Sequence, residues 1–333
     1  MSKTSQLVYS DKLGRHLRTG SAASLGVSTT QLAVEALADG RPADAAAYVP
    51  YLIGETERIY GIFCLWLTEL RAYAEEWLPE VDAHYQRLAV ALGCEPPMQQ
   101  SATLSEELLA GCSTAIETAD CDALARHLAA IREELRRVHD AQAEWCWALL
   151  TLLRDELGED RMDDVLRKTE EGWVTARYAA LSEMTPRELF ELTIEGMRGH
   201  LTGPDRMGEI QVSEDDEKFV LSFDPCGSGG RMRRGDAVRG QPPAAERPGL
   251  FGATNAAHDW SWNEEGVCLY CAHCAVVNEI LPIERIGSPM RVTEHPASAE
   301  DPCRWTIYKS PEAVPDEAYR RVGKHAPHRP IEP

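Results

Sequence analysis

Long apolar runs are missing from this sequence, since no stretch approaches the roughly eighteen consecutive apolar residues that a membrane-spanning helix needs. The N-terminal segment MSKTSQLVYSDKLGRHLRTGSAASLG also lacks the apolar core of a secretory signal. These two absences exclude a transmembrane helix and lead us to expect a cytoplasmic protein. Residues 1–27 are expected to be a flexible lead-in to the folded chain.

Basic residues are scarce. Lys and Arg number 34 against 54 Asp and Glu, so the formal charge is −20. Nucleic acids and anionic membrane surfaces attract basic patches, which argues against both as partners. The 44% hydrophobic and 26% charged content is typical of a globular protein. We therefore expect a small molecule as the partner, while the sequence leaves homo-oligomerisation open.

Apolar residues recur at helical spacing through residues 28–203. One stripe runs through 56–77, where Pro50 near the start and Pro79 past the end are expected to bound the helix, and a second runs through 124–152. A third helix is marked by Thr185 as N-cap, with Pro186 and Glu188 completing the start signal. Several amphipathic helices in succession predict a helical bundle over 28–203.

The pattern changes near residue 205. EIQVSEDDEKFVLSF reads as two strands around an acidic turn, and MRVTEH and CRWTIYK read as two more. We expect a small α+β domain at 205–310 and a poorly ordered tail at 311–333. The predicted class is therefore mainly α: an N-terminal helical bundle with a small C-terminal α+β metal-binding domain. The metal assignment depends on the cysteines of that region.

Three cysteines and a histidine lie within VCLYCAHCAV, namely Cys268, Cys271, His273 and Cys274. Without an export signal the thiols should be reduced, and a dense Cys/His cluster then indicates metal binding. The Cys-x-x-Cys spacing suits a tetrahedral zinc ion and occurs twice in overlap. One short turn cannot present both pairs to a single ion, so one of the three cysteines is expected to be a spare.

The other ligands should come from distant cysteines. Cys226 and Cys303 both follow an Asp-Pro dipeptide, one at the end of a predicted strand and the other at the start of one. The predicted ligand set is therefore Cys226, Cys271, Cys274 and Cys303, with Cys268, His273 and His258 in reserve. Zinc is the predicted metal. A [4Fe-4S] cluster is the alternative, because Cys-x-x-Cys-x-x-Cys also begins cluster-binding runs.

A glycine-rich loop carrying arginines, DPCGSGGRMRRG, surrounds the first of these cysteines. Arg231, Arg233 and Arg234 provide planar charged groups suited to a carboxylate or phosphate, and Ser228 is grouped with them as a substrate contact. The same arginines would equally suit internal ion pairs with the acidic helices. The glycines match neither of the nucleotide-binding fingerprints.

Two histidines are candidates for proton transfer beside the metal, His258 and His273. With them the sequence predicts a zinc-dependent enzyme of hydrolase or lyase type, which acts on a small anionic substrate between bundle and metal domain. One alternative is a binding or sensor protein with a purely structural zinc. Thiolate ligands reduce the Lewis acidity of zinc, so a thiolate-rich site is more often structural than catalytic. The other is a [4Fe-4S] redox protein. His139 and Asp140, within the second apolar stripe, either face the substrate or make a core hydrogen bond.

The stretches FDPCGSGGRM, YCAHCAV, LPIERIG and PCRWTIYK together resemble a group of bacterial proteins that are helical at the front and bear cysteines at the back. The cysteine beside aromatic residues in CRWTIYK is also similar to the L-2-amino-thiazoline-4-carboxylate hydrolase-like family. This resemblance implies hydrolysis of a small cyclic substrate that carries a carboxylate.

Overall fold

The computed structural model describes residues 6–237 and 239–327, and it is mainly helical with two small antiparallel sheets. Its α-helices are α1 (Ala22–Gly26), α2 (Thr29–Ala38), α3 (Pro42–Trp77), α4 (Val81–Leu92), α5 (Glu106–Glu117), α6 (Cys121–Leu157), α7 (Met162–Ser182), α8 (Pro186–Gly199), α9 (Gly229–Arg234), α10 (Leu269–Ala275), α11 (Leu281–Ile286) and α12 (Asp316–Arg320). Its strands are β1 (Leu7–Ser10), β2 (Arg15–Arg18), β3 (Gln211–Glu214), β4 (Lys218–Phe223), β5 (Val292–Glu294) and β6 (Cys303–Tyr308). In the described ranges no helix combines the length and the apolar character that crossing a membrane requires.

The two long helices α3 and α6 follow the predicted apolar stripes but extend further than predicted. Pro50 lies inside α3 and does not bound it, which corrects the expected start. A proline removes one backbone hydrogen bond from a helix interior. Here the turns before it remain helical because Ala45, Tyr48 and Val49 pack into a core shared with α2. Tertiary burial thus outweighs the local signal.

The start of α8 confirms its predicted N-terminal signal. The Thr185 hydroxyl accepts a hydrogen bond from the backbone N–H of Glu188, and the Glu188 carboxylate accepts one from the backbone N–H of Thr185. With Pro186 in the first turn, three short-range features agree on where this helix begins. The helix ends at Gly199, which brings His200 to the C-cap.

Residues 7–26 are structured, which corrects the expectation of a flexible segment. β1 and β2 form a hairpin in which Leu7 pairs with Arg18. The Arg18 side chain is fully buried and donates to the Val27 carbonyl and the Thr29 hydroxyl, each at 3.0 Å. Because a buried guanidinium needs acceptors, these contacts fasten the hairpin to the first turn of α2.

The second sheet has the order β3-β4-β6-β5, with antiparallel neighbours throughout. Its strands confirm the four predicted from the sequence, and the acidic turn lies between β3 and β4. On β4 the buried side chains alternate as Phe219, Leu221 and Phe223. The pairing of Phe223 with Cys303 aligns the end of β4 with the start of β6.

One hydrophobic core crosses the predicted boundary between the two domains. Trp66 of α3 packs on Tyr270 of α10 with ring centroids 5.8 Å apart, and the indole N–H of Trp147 donates to the Gly252 carbonyl at 2.8 Å. The predicted tail also joins this core through the buried Val322. The separation at residues 203–205 is therefore not a break in packing, and residues 311–327 are part of the fold. Residues 328–333 lie outside the described residues.

Candidate functional site

Four cysteines from three separate segments line one cavity of about 50 Å³, which we call the thiol cavity. Cys226 follows β4, Cys303 begins β6, and Cys271 and Cys274 lie one turn apart on α10. All four are free thiols. The structure thus brings together the complete set of predicted ligands.

The sheet register and a close helix contact explain why these segments meet. Since Phe223 pairs with Cys303, the chain that leaves β4 passes beside the start of β6, and Cys226 follows three residues later. Gly229, at the start of α9, lies against α10, where an added Cβ would be 2.7 Å from the sulfur of Cys271. Only a glycine leaves room for that sulfur, so the glycine-rich loop serves close packing around the thiols.

Cys268 differs in position from the other two cysteines of VCLYCAHCAV. It is buried and does not line the thiol cavity. It is the N-cap of α10, where its sulfur accepts the backbone N–H of Cys271 at 3.0 Å. A capping side chain of this kind satisfies a helix-end donor, which is a structural role.

Burial and mutual proximity dominate the electrostatics of the thiol cavity. Burial raises the pKa of the Cys274 thiol well above its ordinary value, and the neighbouring Cys303 and Cys271 raise it further. Burial likewise raises the pKa of Cys303, while the guanidinium of Arg233 acts in the opposite direction. The thiols are therefore close enough to influence one another's ionisation.

The distances between the ligand side chains decide whether the thiols can bind a single metal ion. Within residues 6–237 and 239–327, no three His, Cys, Asp or Glu side chains stand close enough together to hold one metal ion. Zinc–sulfur bonds of about 2.3 Å require the sulfurs of one site to approach closely. The thiols share a cavity, but their positions do not form a single-ion site. The predicted metal-binding domain stays a prediction.

A second cavity of about 480 Å³, which we call the large cavity, adjoins the first. It lies among α3, α7, α8 and the C-terminal region. Both cavities share wall residues, and these are Met197, His200, Tyr270, His273 and Trp305. A molecule in the large cavity would therefore be separated from the thiols by only one layer of side chains.

A chain of hydrogen bonds reaches this shared wall from a buried carboxylate. Asp140 contacts His139 Nδ1 at 2.9 Å, and His139 Nε2 lies 3.1 Å from His200 Nδ1. Arg206 donates to Asp140 at 2.7 Å, which fixes the carboxylate. Burial lowers the pKa of His200 well below its ordinary value. This arrangement holds His200 in one orientation at the boundary of the two cavities.

The two predicted catalytic histidines lie in different places. His273 lines both cavities, where its Nδ1 contacts the Tyr270 carbonyl, and burial lowers its pKa to about 4. His258 lines neither cavity among the described residues. Its Nε2 pairs with Glu159 at 2.8 Å and its ring stacks on Trp260, so its contacts are structural ones.

The three arginines of the glycine-rich loop mostly form the internal ion pairs that the sequence left open. Arg231 is buried and pairs with Glu144 at 3.0 Å, and Arg234 pairs with Asp224 at 2.7 Å. Arg233 lines the thiol cavity. Ser228 also lines that cavity, with its hydroxyl 3.5 Å from the sulfur of Cys226.

Three residues at these cavities were not singled out from the sequence: His200, Arg177 and Arg291. His200 follows an ordinary amphipathic helix, and both arginines are flanked by unremarkable residues. Their positions depend on how α7, α8 and β5 pack, so no local spacing would have identified them. Asp140 and His139, which the sequence did indicate, led to His200 only through the fold.

Comparison with models of known protein families, with curated proteins and with solved structures gives no match.

Proposed function

We propose that this protein is a metal-dependent enzyme that acts on a small anionic molecule in the large cavity. The observation that carries the proposal is the convergence of four free thiols on one cavity that shares its wall with a larger, ligand-sized space. Four cysteines around one space are a donor set for zinc or for an iron–sulfur cluster.

We place a cluster before a single zinc ion as the metal group of this site. A zinc ion does not fit the thiols as they stand, since no three ligand side chains in the described part of the chain are close enough for one ion. A four-iron cluster is a larger body and holds its thiolates further apart. Cys226, Cys271, Cys274 and Cys303 would hold it. When bound, such a cluster supplies or accepts single electrons.

His200 is the residue best placed to move a proton at the substrate. It lines the wall between the cavities, and its Nδ1 is occupied by the hydrogen bond with His139 Nε2, so Nε2 is the ring nitrogen left for a substrate. His139 and Asp140 act through it and are positioning residues. The hydrolase or lyase type predicted from the sequence agrees with a proton carrier here.

Metal content tests this proposal. The protein is purified without oxygen, its iron, sulfide and zinc are measured, and its visible spectrum is recorded. We expect a brown protein with about four irons and about four sulfides per chain. Replacing any one of Cys226, Cys271, Cys274 or Cys303 by Ser should lower the iron content sharply.

Cys268→Ser is the matched control, because serine keeps the N-cap of α10 and the residue does not line the thiol cavity. It should retain the iron. A colourless protein with one zinc per chain would support the zinc enzyme instead. If neither metal is bound after expression with both supplied, the proposal is wrong.

A binding or sensor protein with a structural metal is the second candidate. Cys271 and Cys274 pack against the main hydrophobic core, so the thiols also belong to the scaffold. Thermal unfolding of the same Ser variants separates the two functions. If the metal is purely structural, the Ser variants that lose the metal should also lose their cooperative unfolding transition.

A further inference from the structure

Two arginines that line the large cavity have no acidic partner in the part of the chain that the structure describes. Arg177 lies on α7 and Arg291 just before β5, and among the described residues no carboxylate lies within ion-pair distance of either. The other two arginines of this wall share one carboxylate, since Arg15 and Arg58 both pair with Glu195, at 2.5 and 2.9 Å. Arg177 is exposed to solvent, whereas Arg291 is only partly exposed, so the unneutralised charge of Arg291 is the one that requires an explanation.

Neutral groups hold Arg291 in place. Arg291 donates to the Thr193 hydroxyl at 2.8 Å and to the Asn278 side-chain oxygen at 3.0 Å, and it lies 5.5 Å from the ring centroid of Trp305. Arg177 lies 5.6 Å from the ring centroid of Trp173. Arg291 uses its Nε and Nη1 in these bonds, and no bond from its Nη2 is found among the described residues, so Nη2 is the group available for an anion.

The net charge of the cavity wall is positive. Four arginines line it, which are Arg15, Arg58, Arg177 and Arg291, against the two glutamates Glu55 and Glu195. Glu55 is itself neutralised from outside the wall by Arg198 at 2.6 Å. A positive cavity inside an acidic protein concentrates small anions at that point.

Aromatic side chains form much of the remaining wall, and these are Phe63, Trp66, Trp173, Tyr178, Tyr270 and Trp305. The indole N–H groups of Trp173 and Trp305 have no acceptor among the described residues. A volume of about 480 Å³ is typical of small-molecule sites. A planar ligand with an oxygen-bearing group matches both the apolar faces and the unused donors.

We infer that Arg177 and Arg291 bind the carboxylate of a small aromatic acid whose ring occupies the large cavity. This inference deepens the proposed function by naming its substrate class, and it rests on that proposal for the chemistry. Binding itself uses only the large cavity and does not need the metal centre. The two ideas are therefore separable by experiment.

The test is calorimetric titration of the whole protein with benzoate, with neutral benzamide as the ring-matched control. We expect benzoate to bind and benzamide to bind at least about tenfold more weakly, because a hydrogen bond between two charged groups is stronger than one to a neutral amide. Arg177→Gln and Arg291→Gln should each weaken benzoate binding about tenfold or more. Arg285→Gln, at an ion pair with Glu171 outside the cavity wall, should leave it unchanged.

Arg291 is enclosed by its partners, so Arg291→Lys serves as a second variant that keeps the charge and loses the planar fork. Near-UV circular dichroism checks that each variant is folded. Equal affinity for benzoate and benzamide, or unchanged affinity in folded Arg177→Gln, would overturn the inference. Tighter binding of phenyl phosphate than of benzoate would overturn the carboxylate assignment.

Titration of the Cys271→Ser/Cys274→Ser double variant distinguishes this inference from the proposed function. Benzoate binding that survives the loss of the metal centre supports the inference independently of the metal. Absence of benzoate binding to a protein that contains its metal overturns the inference and leaves the proposed function standing. Benzoate binding to a protein that takes up no metal overturns the proposed function and leaves this inference standing.

Discussion

Glu170 on α7 is a carboxyl group in an unfavourable place. It is fully buried, and neither of its oxygens has a hydrogen-bond partner among the described residues. Burial raises its pKa well above the ordinary value of about 4.3, since a buried charge without a partner is unstable. The folded state therefore favours the protonated form, and this residue reduces stability as the pH rises from the unfolded pKa toward the folded one.

Glu170→Met should stabilise the protein at pH 8, because methionine has a similar length and no polar atoms to desolvate. We expect a gain of about 1–3 kcal/mol in the free energy of unfolding, and a smaller gain at pH 4. Urea denaturation at both pH values measures it. Glu171→Met, at the exposed neighbouring residue, is the control and should change little. A loss of stability in Glu170→Met would contradict the expectation that the buried carboxyl destabilises the fold.

At the scale of a single element, α8 connects the fold to the site. It packs along α3, and Gly199 faces that helix so closely that an added Cβ would overlap the carbonyl oxygen of Glu55. Gly196, one turn earlier, lines the large cavity and has nothing within 4 Å of an added Cβ. A side chain would therefore clash at Gly199 but not at Gly196. The position of His200, the next residue, depends on the close approach of α8 to α3 at Gly199.

Alanine substitutions at these two glycines should have opposite effects on thermal stability. Gly199→Ala should lower the free energy of unfolding by about 1–3 kcal/mol, because the backbone of α3 must move away. Gly196→Ala should raise it by up to about 1 kcal/mol, through better helix propensity. Differential scanning calorimetry measures both. Equal effects of the two changes would contradict the packing of α8 on α3.

At the scale of the whole molecule, two buried carboxylates join distant helices. Glu55 on α3 accepts from Arg198 at 2.6 Å and from the Thr29 hydroxyl at 2.9 Å. Burial alone would raise the pKa of Glu55, but Arg198 and nearby arginines bring it below its ordinary value. Burial opposes ionisation of Asp140 as well, yet its arginine neighbours hold the pKa of that carboxyl well below its usual range.

These lowered pKa values predict loss of stability in acid. The carboxylates stabilise the folded state above their unfolded pKa values near 4, and this contribution is lost as the pH falls through the lower folded values. Each group adds at most about 1.4 kcal/mol per pH unit to the slope of the free energy of unfolding against pH. Glu55→Gln should reduce that slope below pH 4 and should cost about 3–5 kcal/mol at pH 7, since it leaves buried arginines unpaired.

Urea unfolding midpoints measured between pH 2 and pH 7 test this expectation. Asp82→Asn is the control, because Asp82 forms an exposed ion pair with Arg71 and should matter by less than about 1 kcal/mol. An unchanged pH dependence in Glu55→Gln would contradict the ionised state of Glu55 in the folded protein.

The sequence alone determined the features that depend on neighbours along the chain. The capping box at Thr185, the apolar stripes of α3 and α6 and the alternation on β4 all follow from local hydrogen bonding and side-chain periodicity. The sequence also predicted that the four thiols lie together, because two of the cysteines are one helical turn apart and the other two lie next to strand ends. The extension of α3 past Pro50 was not, since burial against α2 decides it.

Only the tertiary structure decided which charges are neutralised and which remain available. Arg231 and Arg177 look alike in sequence, but α6 supplies a carboxylate to the first and no described element supplies one to the second. Likewise, His258 meets Glu159, while His200 meets His139 and the cavity wall. An ion pair or a proton path joins residues far apart in the chain, so its partners are chosen by packing, which no local pattern records.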